Sequence, residues 1–420
     1  MNKVKVILIG ASTRGIIYTD IMANHPDKFQ VVAVADPSKT RRDYIKETHG
    51  ISDDMCFDDY KPLLALGKIA DVAVIATQDR LHFEPAMMAI SLKYDLLLEK
   101  PIAPTPEECA QIARKANEMG SKVIICHVLR FTPFFNTLKD IIDSGKIGRI
   151  INIDHVEGVG NDHYAHSFVR GNWSNSKVSS PMLLQKSCHD IDILQWLVGK
   201  QCKRVSSVGM LTYFKEENAP KGSAERCMDC KYQDTCGYSA KKKYLESDDN
   251  TWIRPACTNT VNPSDEEVLH ALNTTTWGKC VFRCDNDVVD HQVVTMEFED
   301  DVLCTFTMSG FAGMERHIFI MGTEGDIKTT ATSDKIAVHN HITNQTEYIS
   351  LPDDAQESAH GGGDIGIVDA LYEVVNGTYK GKSVCSIEQS KDNHMTVFAA
   401  EKAREQAVWI DMDEYLKSFN

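Results

Sequence analysis

The first part of the chain alternates between short apolar runs and longer amphipathic stretches. The apolar runs predict buried strands at residues 4–9, 30–35, 71–76, 95–98 and 122–126. The amphipathic stretches predict helices from about residue 16 to 25, over 82–92 and over 106–119. Thr105 and Glu108 cap the last of these helices, Pro106 lies in its first turn and Gly120 ends it. Such regular alternation predicts a doubly wound parallel sheet.

The pattern changes near residue 148 to longer strands with fewer helices. Strands are predicted at 149–158, 204–213, 291–298, 302–309 and 316–321, with shorter pieces up to 349, and helices over 365–375 and 389–407. These strands predict a large, mainly antiparallel open sheet. The expected fold class is therefore α/β, with an N-terminal Rossmann domain over 1–128 and a C-terminal α+β domain over 129–420. A polar insertion interrupts the second domain at about 215–275.

Composition sets limits on partners and location. The 420 residues are 42% hydrophobic and 25% charged, as in a globular protein, and the net charge of -15 argues against nucleic acid or an anionic membrane as a partner. The chain has no apolar run of about 18 residues and enters a strand without a charged and apolar leader. We therefore expect a cytoplasmic protein. The open second sheet predicts a homo-oligomer formed through that face.

A turn rich in small residues follows the first strand and contains Gly10, Ser12, Thr13, Arg14 and Gly15. The two glycines permit a tight bend and close packing of the helix on the strand, and the first N–H groups of the helix can bind a phosphate. A serine stands where a second glycine would let the backbone approach a pyrophosphate. The pattern predicts a dinucleotide site.

The residues after the second strand bear on which dinucleotide binds. Asp36 lies 21 positions after Gly15, where a carboxylate would bind the adenosine ribose hydroxyls. Arg41 and Arg42 would favour a 2′-phosphate, but Asp36 would repel one. We therefore expect NAD rather than NADP. The alternative for Asp36 is an acidic turn residue.

The other strand ends of the first domain carry Thr77, Gln78, the tripeptide Glu99-Lys100-Pro101, and His127. Ligands of doubly wound sheets collect at these strand ends, so these residues are candidates for the active site. The Lys100 ammonium is placed to donate to a substrate hydroxyl or alkoxide. A solvated lysine is the alternative.

These motifs resemble those of the Gfo/Idh/MocA oxidoreductases, which include glucose-fructose oxidoreductase and inositol dehydrogenase. Six motifs follow the family's order: the turn at 10–15, Ala76-Thr77 with His82, Glu99-Lys100-Pro101, HVLRFTPFF at 127–135, SGKIGRI at 144–150 and His189-Asp190-Ile191-Asp192. The resemblance implies that Lys100 polarises the reacting hydroxyl and that Pro101 shapes the turn under the nicotinamide. It also implies cofactor contacts by Thr77, Gln78, His82 and Glu99, and substrate contacts by His127 and Arg130.

The resemblance makes His189 the proton acceptor and Asp192 a ligand of a substrate hydroxyl. On a helix these two residues share a face, and an imidazole has a pKa suited to general-base catalysis. A buried structural histidine held by Asp192 is the alternative. Arg170 and Trp173 resemble the family's loop that closes over the nicotinamide, with a loop arginine and a core tryptophan as the alternative reading.

One position departs from the family pattern. Inositol dehydrogenase-like members carry an aspartate four residues before the histidine, where this chain has Gln185. A glutamine side chain can hold a hydroxyl but cannot relay a proton. Lys186 would lower the pKa of His189 or bind an anionic group of the substrate. We therefore predict substrate contacts by Gln185 and Lys186.

Three functions follow from these residues. The first is an NAD-dependent dehydrogenase acting on a secondary hydroxyl of a sugar, glycoside or cyclitol. The second is a glycoside-cleaving enzyme that oxidises its substrate transiently, eliminates the glycosidic group and returns the hydride. The third is a non-catalytic dinucleotide-binding protein that recruits a partner.

Two further clusters are candidate sites. The insertion contains Cys227, Cys230, Cys236 and Cys257, which predict a thiolate site for zinc or an iron-sulfur cluster, with Cys280 or Cys284 as substitute ligands. Unligated thiols are the alternative. His360 and Asp364 flank a glycine run and are predicted to contact sugar hydroxyls, with a helix cap at Asp364 as the alternative.

Overall fold

Parallel strands form the first sheet. The computed structural model describes residues 2–247, 252–352 and 359–419. The strands are β1 (Val4–Ile9), β2 (Phe29–Ala35), β3 (Cys56–Phe57), β4 (Val72–Ile75), β5 (Asp95–Leu98) and β6 (Val123–Ile125). They lie in the order β3-β2-β1-β4-β5-β6. The strand order reverses between β1 and β4, which is where doubly wound sheets bind nucleotides.

Helices connect these strands: α1 (Thr13–Ala23), α2 (Lys39–His49), α3 (Tyr60–Leu64), α4 (Phe83–Ser91) and α5 (Pro106–Met119), with α6 (Pro133–Asp143) leading into the second domain. Helix α5 has the predicted bounds, since Thr105 Oγ1 accepts the Glu108 N–H at 3.3 Å and Gly120 has φ +66°. Helix α1 begins three residues earlier than predicted because Ser12 is its N-cap. Elements β3, α2 and α3 were not predicted; α2 buries only Ile45, so its sequence lacks an apolar face.

The second sheet contains nine strands and is mainly antiparallel, as predicted. They are β7 (Ile150–Gly158), β8 (Cys202–Met210), β9 (His291–Phe298), β10 (Leu303–Ser309), β11 (Glu315–Gly322), β12 (Gly325–Thr330), β13 (Lys335–Asn340), β14 (Gln345–Ser350) and β15 (Ile410–Asp411). Their order is β14-β13-β12-β11-β7-β10-β9-β8-β15, and β7 and β10 run parallel. The exposed side chains of the sheet include Val208, Val293 and Leu303.

Helices of the second part pack on this sheet and reach back to the first. They are α7 (Asn161–Tyr164), α8 (Met182–Gln185), α9 (Cys188–Val198), α10 (Ile253–Thr258), α11 (Asp265–Thr274), α12 (Gly363–Val375), α13 (Ile387–Gln406) and α14 (Met412–Leu416). Helix α13 contacts both α5 and α9, so it joins the two parts beside the predicted active site. None of the helices in the described ranges is long and apolar enough to cross a membrane.

The polar insertion forms a lobe with its own apolar core. We call residues 215–247 and 252–279 the insertion lobe; the predicted insertion also includes 248–251, which lie outside the described residues. The core of the lobe comprises Cys227, Ala240, Tyr244, Ile253, Cys257, Val268, Ala271, Leu272 and Trp277. Burial of these apolar side chains contributes to the stability of the lobe.

Candidate functional site

The turn after β1 has the geometry expected of a phosphate-binding turn. Gly10 has φ +89°, and a Cβ there would lie 2.7 Å from the Ala76 carbonyl oxygen. A Cβ at Gly15 would lie 2.2 Å from the Gly10 oxygen, so α1 packs directly on the turn. Ser12 donates to the Ala76 oxygen at 2.7 Å, which fixes the residue that replaces the usual glycine. The first N–H groups of α1 have no acceptor within the helix and point toward this turn.

Asp36 follows β2 and lies on the other side of the groove that begins at the glycine turn. Its carboxylate accepts the Ala11 N–H and the Ser38 N–H, both at 2.8 Å. The carboxylate therefore joins the glycine turn to the end of β2. Burial lowers the pKa of Arg41, while the charge of Asp36 opposes this shift, so the arginine lies near the same groove.

The residues predicted at the next strand ends hold one another in place. Thr77 donates its hydroxyl to the Leu81 oxygen at 2.9 Å, and Gln78 caps the short turn that follows. The buried His82 ring lies 2.7 Å from the Pro101 oxygen and 3.1 Å from the Thr77 oxygen. His82 thus links the ends of β4 and β5, and its contacts are with the backbone.

Lys100 points from the end of β5 toward the second part of the chain. Its Nζ donates to the carbonyl oxygen of Gln185, the last residue of α8, at 2.7 Å. An ammonium has three donors, and the described residues accept from one of them, so two remain for a ligand. The Lys100-Pro101 peptide bond is cis. The structure therefore brings Lys100 and Gln185 together, but through the Gln185 backbone.

His189 lies at the start of α9 and is 8% exposed. Its Nδ1 is buried and has no hydrogen-bond partner among the residues that the structure describes. Burial lowers the pKa of His189 well below its usual value, and the charge of Lys100 adds to this effect. The imidazole is therefore neutral near pH 7 and can accept a proton.

Arg14 joins the glycine turn to Glu99 and α12. Its guanidinium lies 2.9 Å from Glu99 and 2.5 Å from Asp364, and it also contacts Tyr18. Asp364 additionally lies 3.0 Å from His360. Both carboxylates are nearly fully buried. Arg14 therefore forms ion pairs with both Glu99 and Asp364. Sugar contacts by His360 and Asp364 stay a prediction.

Asp192 is buried and forms its hydrogen bonds with protein side chains. It accepts two hydrogen bonds from Arg130, at 2.7 and 2.8 Å, and a third from Asn393. His127 lies 3.6 Å away, and its pKa is lowered to about 4 by burial, with the charge of Asp192 acting in the opposite direction. Both oxygens of Asp192 therefore have partners, and we interpret Asp192 and Arg130 as residues that position α9.

A charged network lies beside His189 and was not predicted from the sequence. Arg316 lies 2.8 Å from Asp190 and 2.9 Å from Glu157, and Lys186 lies 3.4 Å from Glu157. Burial lowers the pKa of Lys186, while the charge of Glu157 opposes this shift. Glu157 and Arg316 lie on adjacent strands β7 and β11, and only that pairing brings them to the site.

Arg170, predicted to contact the nicotinamide, makes its hydrogen bonds with the insertion lobe. Its guanidinium donates to the Lys279 oxygen at 2.9 Å, to the Tyr238 oxygen at 2.7 Å and to the Cys227 sulfur at 3.3 Å. It is 2% exposed, so these contacts anchor the insertion lobe. Trp173 packs against the main core, as the alternative reading expected.

The predicted metal site at the cysteines is not supported. Across residues 2–247, 252–352 and 359–419, no group of three or more His, Cys, Asp or Glu side chains is arranged to hold a metal. Cys227, Cys230 and Cys236 line a small cavity with Cys280, and Cys257 is not among its lining residues. The Cys257 thiol donates to the Arg254 oxygen, and burial raises its pKa to about 11. Cys227 and Cys257 are buried in the apolar core of the lobe, and Cys230 and Cys236 are half-buried outside it.

Comparisons with known proteins agree with this architecture. The family described as "Oxidoreductase family, NAD-binding Rossmann fold" matches residues 4–127, and "Oxidoreductase family, C-terminal alpha/beta domain" matches residues 139–371. The chain is similar to YteT of Bacillus subtilis, with 24% identity over 327 residues that cover 72% of each chain.

Other similar proteins match over a smaller share of their length, or share only the fold. An inositol 2-dehydrogenase of Salmonella paratyphi B is 25% identical over 203 residues, which are 48% of this chain and 56% of that relative. The solved structure of a levoglucosan dehydrogenase with NADH and levoglucosan superposes with a TM-score of 0.71 at 16% identity, covering 98% of this chain and 100% of that chain. At this identity the structural similarity concerns the fold.

Proposed function

Because the chain belongs to the Gfo/Idh/MocA family of NAD(P)-dependent oxidoreductases, we propose that it is an NAD-dependent dehydrogenase of a sugar, glycoside or cyclitol. The reacting group is a secondary hydroxyl. This family membership sets aside the non-catalytic alternative. The observation that carries the proposal is a buried, neutral His189 with an unpartnered ring nitrogen, whose pKa is lowered by burial and then by the charge of Lys100.

The groove after β1 fits a dinucleotide. Side chains at Gly10 and Gly15 would collide with backbone, so the turn stays open at the first N–H groups of α1. Asp36 at the end of β2 favours ribose hydroxyls over a 2′-phosphate. Bound NAD supplies the hydride acceptor. We assign the phosphates to the turn over 10–15 and the adenosine ribose to Asp36.

His189 and Lys100 have different roles at the reacting hydroxyl. Neutral His189 accepts the hydroxyl proton. The two remaining N–H donors of Lys100 stabilise the oxygen as negative charge develops on it. The hydrogen bond from Lys100 to the Gln185 carbonyl holds the ammonium in this position. Lys100 also keeps His189 unprotonated before the substrate binds.

The test uses purified protein, NAD and a panel of inositols, free sugars and methyl glycosides, with nicotinamide reduction followed by absorbance. We expect Lys100→Ala to lower kcat/KM by about 10²- to 10³-fold. His189→Asn should lower kcat by about 10²- to 10⁴-fold. The exposed Lys203→Ala is the matched control and should behave as wild type. The proposal fails if no member of the panel is oxidised, or if Lys100→Ala equals wild type while both bind NADH.

One observation favours a second function, in which oxidation is transient. Gln185 replaces the aspartate of inositol dehydrogenase-like members and cannot relay a proton. In this reaction, oxidation of a hydroxyl acidifies the neighbouring C–H, whose proton leaves as the glycosidic bond breaks. Water then adds, and the hydride returns to the oxidised carbon. Aryl glycosides distinguish the two functions: this one releases the aryl alcohol without accumulating NADH and incorporates solvent deuterium at the neighbouring carbon, whereas simple dehydrogenation does neither.

A further inference from the structure

A segment of the insertion lobe lies along the predicted cofactor groove. Helix α10 (Ile253–Thr258) is about 9 Å long. After it, the Asn259 carbonyl accepts a hydrogen bond from Ser38 Oγ at 3.3 Å, two residues beyond Asp36. Before it, the Trp252 ring lies 5.1 Å from His163 and 4.8 Å from His166, measured between ring centroids. The segment therefore extends from the ribose end of the groove toward the second domain.

His163 connects this segment to the catalytic cleft. It lies on α7, five residues after β7 ends at Gly158, and β7 also carries Glu157, the partner of Lys186. Burial lowers the pKa of His163, and the charges of Lys186, His166, Lys100 and His360 add to this effect. The ring is thus neutral and lies within electrostatic reach of Lys186 and Lys100.

Trp252 packs against two histidine rings but remains accessible. Its ring is nearly perpendicular to those of His163 and His166, at 72° and 83°. His166 is fixed from behind, because it stacks on Trp277 at 4.6 Å and its Nδ1 lies 2.6 Å from the Tyr244 hydroxyl. Trp252 is nevertheless 43% exposed. A supported indole at the mouth of a polar cleft can cover an apolar face of a ligand whose edges meet polar groups.

We propose that Trp252 and His163 form a stacking platform for the ring of a sugar or cyclitol, so that the insertion lobe contributes directly to substrate binding. The proposal rests on the substrate class in the proposed function. The C–H face of such a ring packs on the indole, and its hydroxyls are left for Lys100, Lys186 and His189. The lobe is fixed in this position by the buried contacts of Arg170 with Cys227, Tyr238 and Lys279.

The experiment compares Trp252→Ala, Trp252→Phe and the control Trp409→Ala in the full-length protein. Trp409 is a suitable control, since it is 51% exposed and packs on Arg204, beside β15. Using the substrate that wild type oxidises best, we expect Trp252→Ala to raise KM at least tenfold with kcat changed less than threefold. Trp252→Phe should recover most of this loss, and Trp409→Ala should show none. The dissociation constant of NADH should stay within twofold in all three variants.

A binding measurement separates this proposal from the proposed function. Saturation-transfer difference NMR with NADH-loaded protein and myo-inositol, D-glucose or methyl β-D-glucopyranoside should show transfer to the C–H protons of one ring face, lost in Trp252→Ala. Binding with this pattern but without turnover would support the platform and contradict the dehydrogenase. Turnover with an unchanged KM in Trp252→Ala would overturn the platform alone. Absence of both binding and turnover in wild type would overturn both.

Discussion

Breaking the buried ion pair between Arg130 and Asp192 should destabilise the protein strongly. The two side chains are 4% and 1% exposed, and two hydrogen bonds of 2.7 and 2.8 Å join them. Asp192→Asn leaves the guanidinium buried without its counterion. Removal of one partner of a buried pair costs about 3–5 kcal/mol of unfolding free energy. We expect a loss of that size for Asp192→Asn, and a similar loss for Arg130→Met.

The double variant tests whether the charges cause this loss. When both charges are gone, no uncompensated ion remains in the core, so Arg130→Met with Asp192→Asn should be no less stable than the worse single variant. The coupling free energy should then reach at least about 2 kcal/mol, within the range found for contacting residues. Urea unfolding followed by circular dichroism at pH 7 supplies the three values. Additive effects, with coupling below about 0.5 kcal/mol, would refute the reasoning.

Three further effects follow from local geometry and burial. Gly15→Ala should raise the NADH dissociation constant at least tenfold in a fluorescence titration, because its Cβ would lie 2.2 Å from the Gly10 oxygen, whereas Gly237→Ala, with open space around it, should not. Thr105→Ala should lower the free energy of unfolding by about 1 kcal/mol, and Thr105→Ser should restore it, as measured by urea denaturation. Stability should fall between pH 7 and pH 5, because burial lowers the pKa of His127 to about 4 and of His394 to about 3. Below pH 6.5 the unfolded chain binds these protons and the folded chain does not. Each histidine therefore lowers the free energy of unfolding by up to about 1.4 kcal/mol per pH unit. Thermal unfolding temperatures that stay constant over this range would contradict it.

The sequence predicted the elements whose signals are local. Strand β5 and helix α5 have the predicted bounds because an apolar run and a pair of caps are written within a few residues. Helix α2 was missed because it buries one residue and its remaining faces are polar. The turn at 10–15 was identified from its glycines even though Ser12 departs from the usual motif.

The partners of the site residues could not be predicted in the same way. Arg14 meets Asp364 across 350 positions, and Arg130 meets Asp192 across 62. Arg170 meets Cys227 of the insertion lobe across 57 positions. Such contacts depend on how the two sheets are placed. The spacing of residues along one element does not indicate that placement. The apolar core of the insertion lobe was not predicted for the same reason, since it is assembled from residues spread over 227–277.

The charges around His189 indicate why we propose the catalytic role for Lys100. Lys186 is paired with Glu157, and Arg316 is paired with Asp190 and Glu157, so the positive charge of each is offset by a buried carboxylate. Lys100 instead donates to the neutral carbonyl of Gln185. Of these three described cations, Lys100 is therefore the one whose charge has no paired carboxylate and can act on a ligand. A hydroxyl between Lys100 and His189 gains most from this charge once it has lost its proton, so the interaction strengthens along the reaction and favours the transition state over the bound substrate.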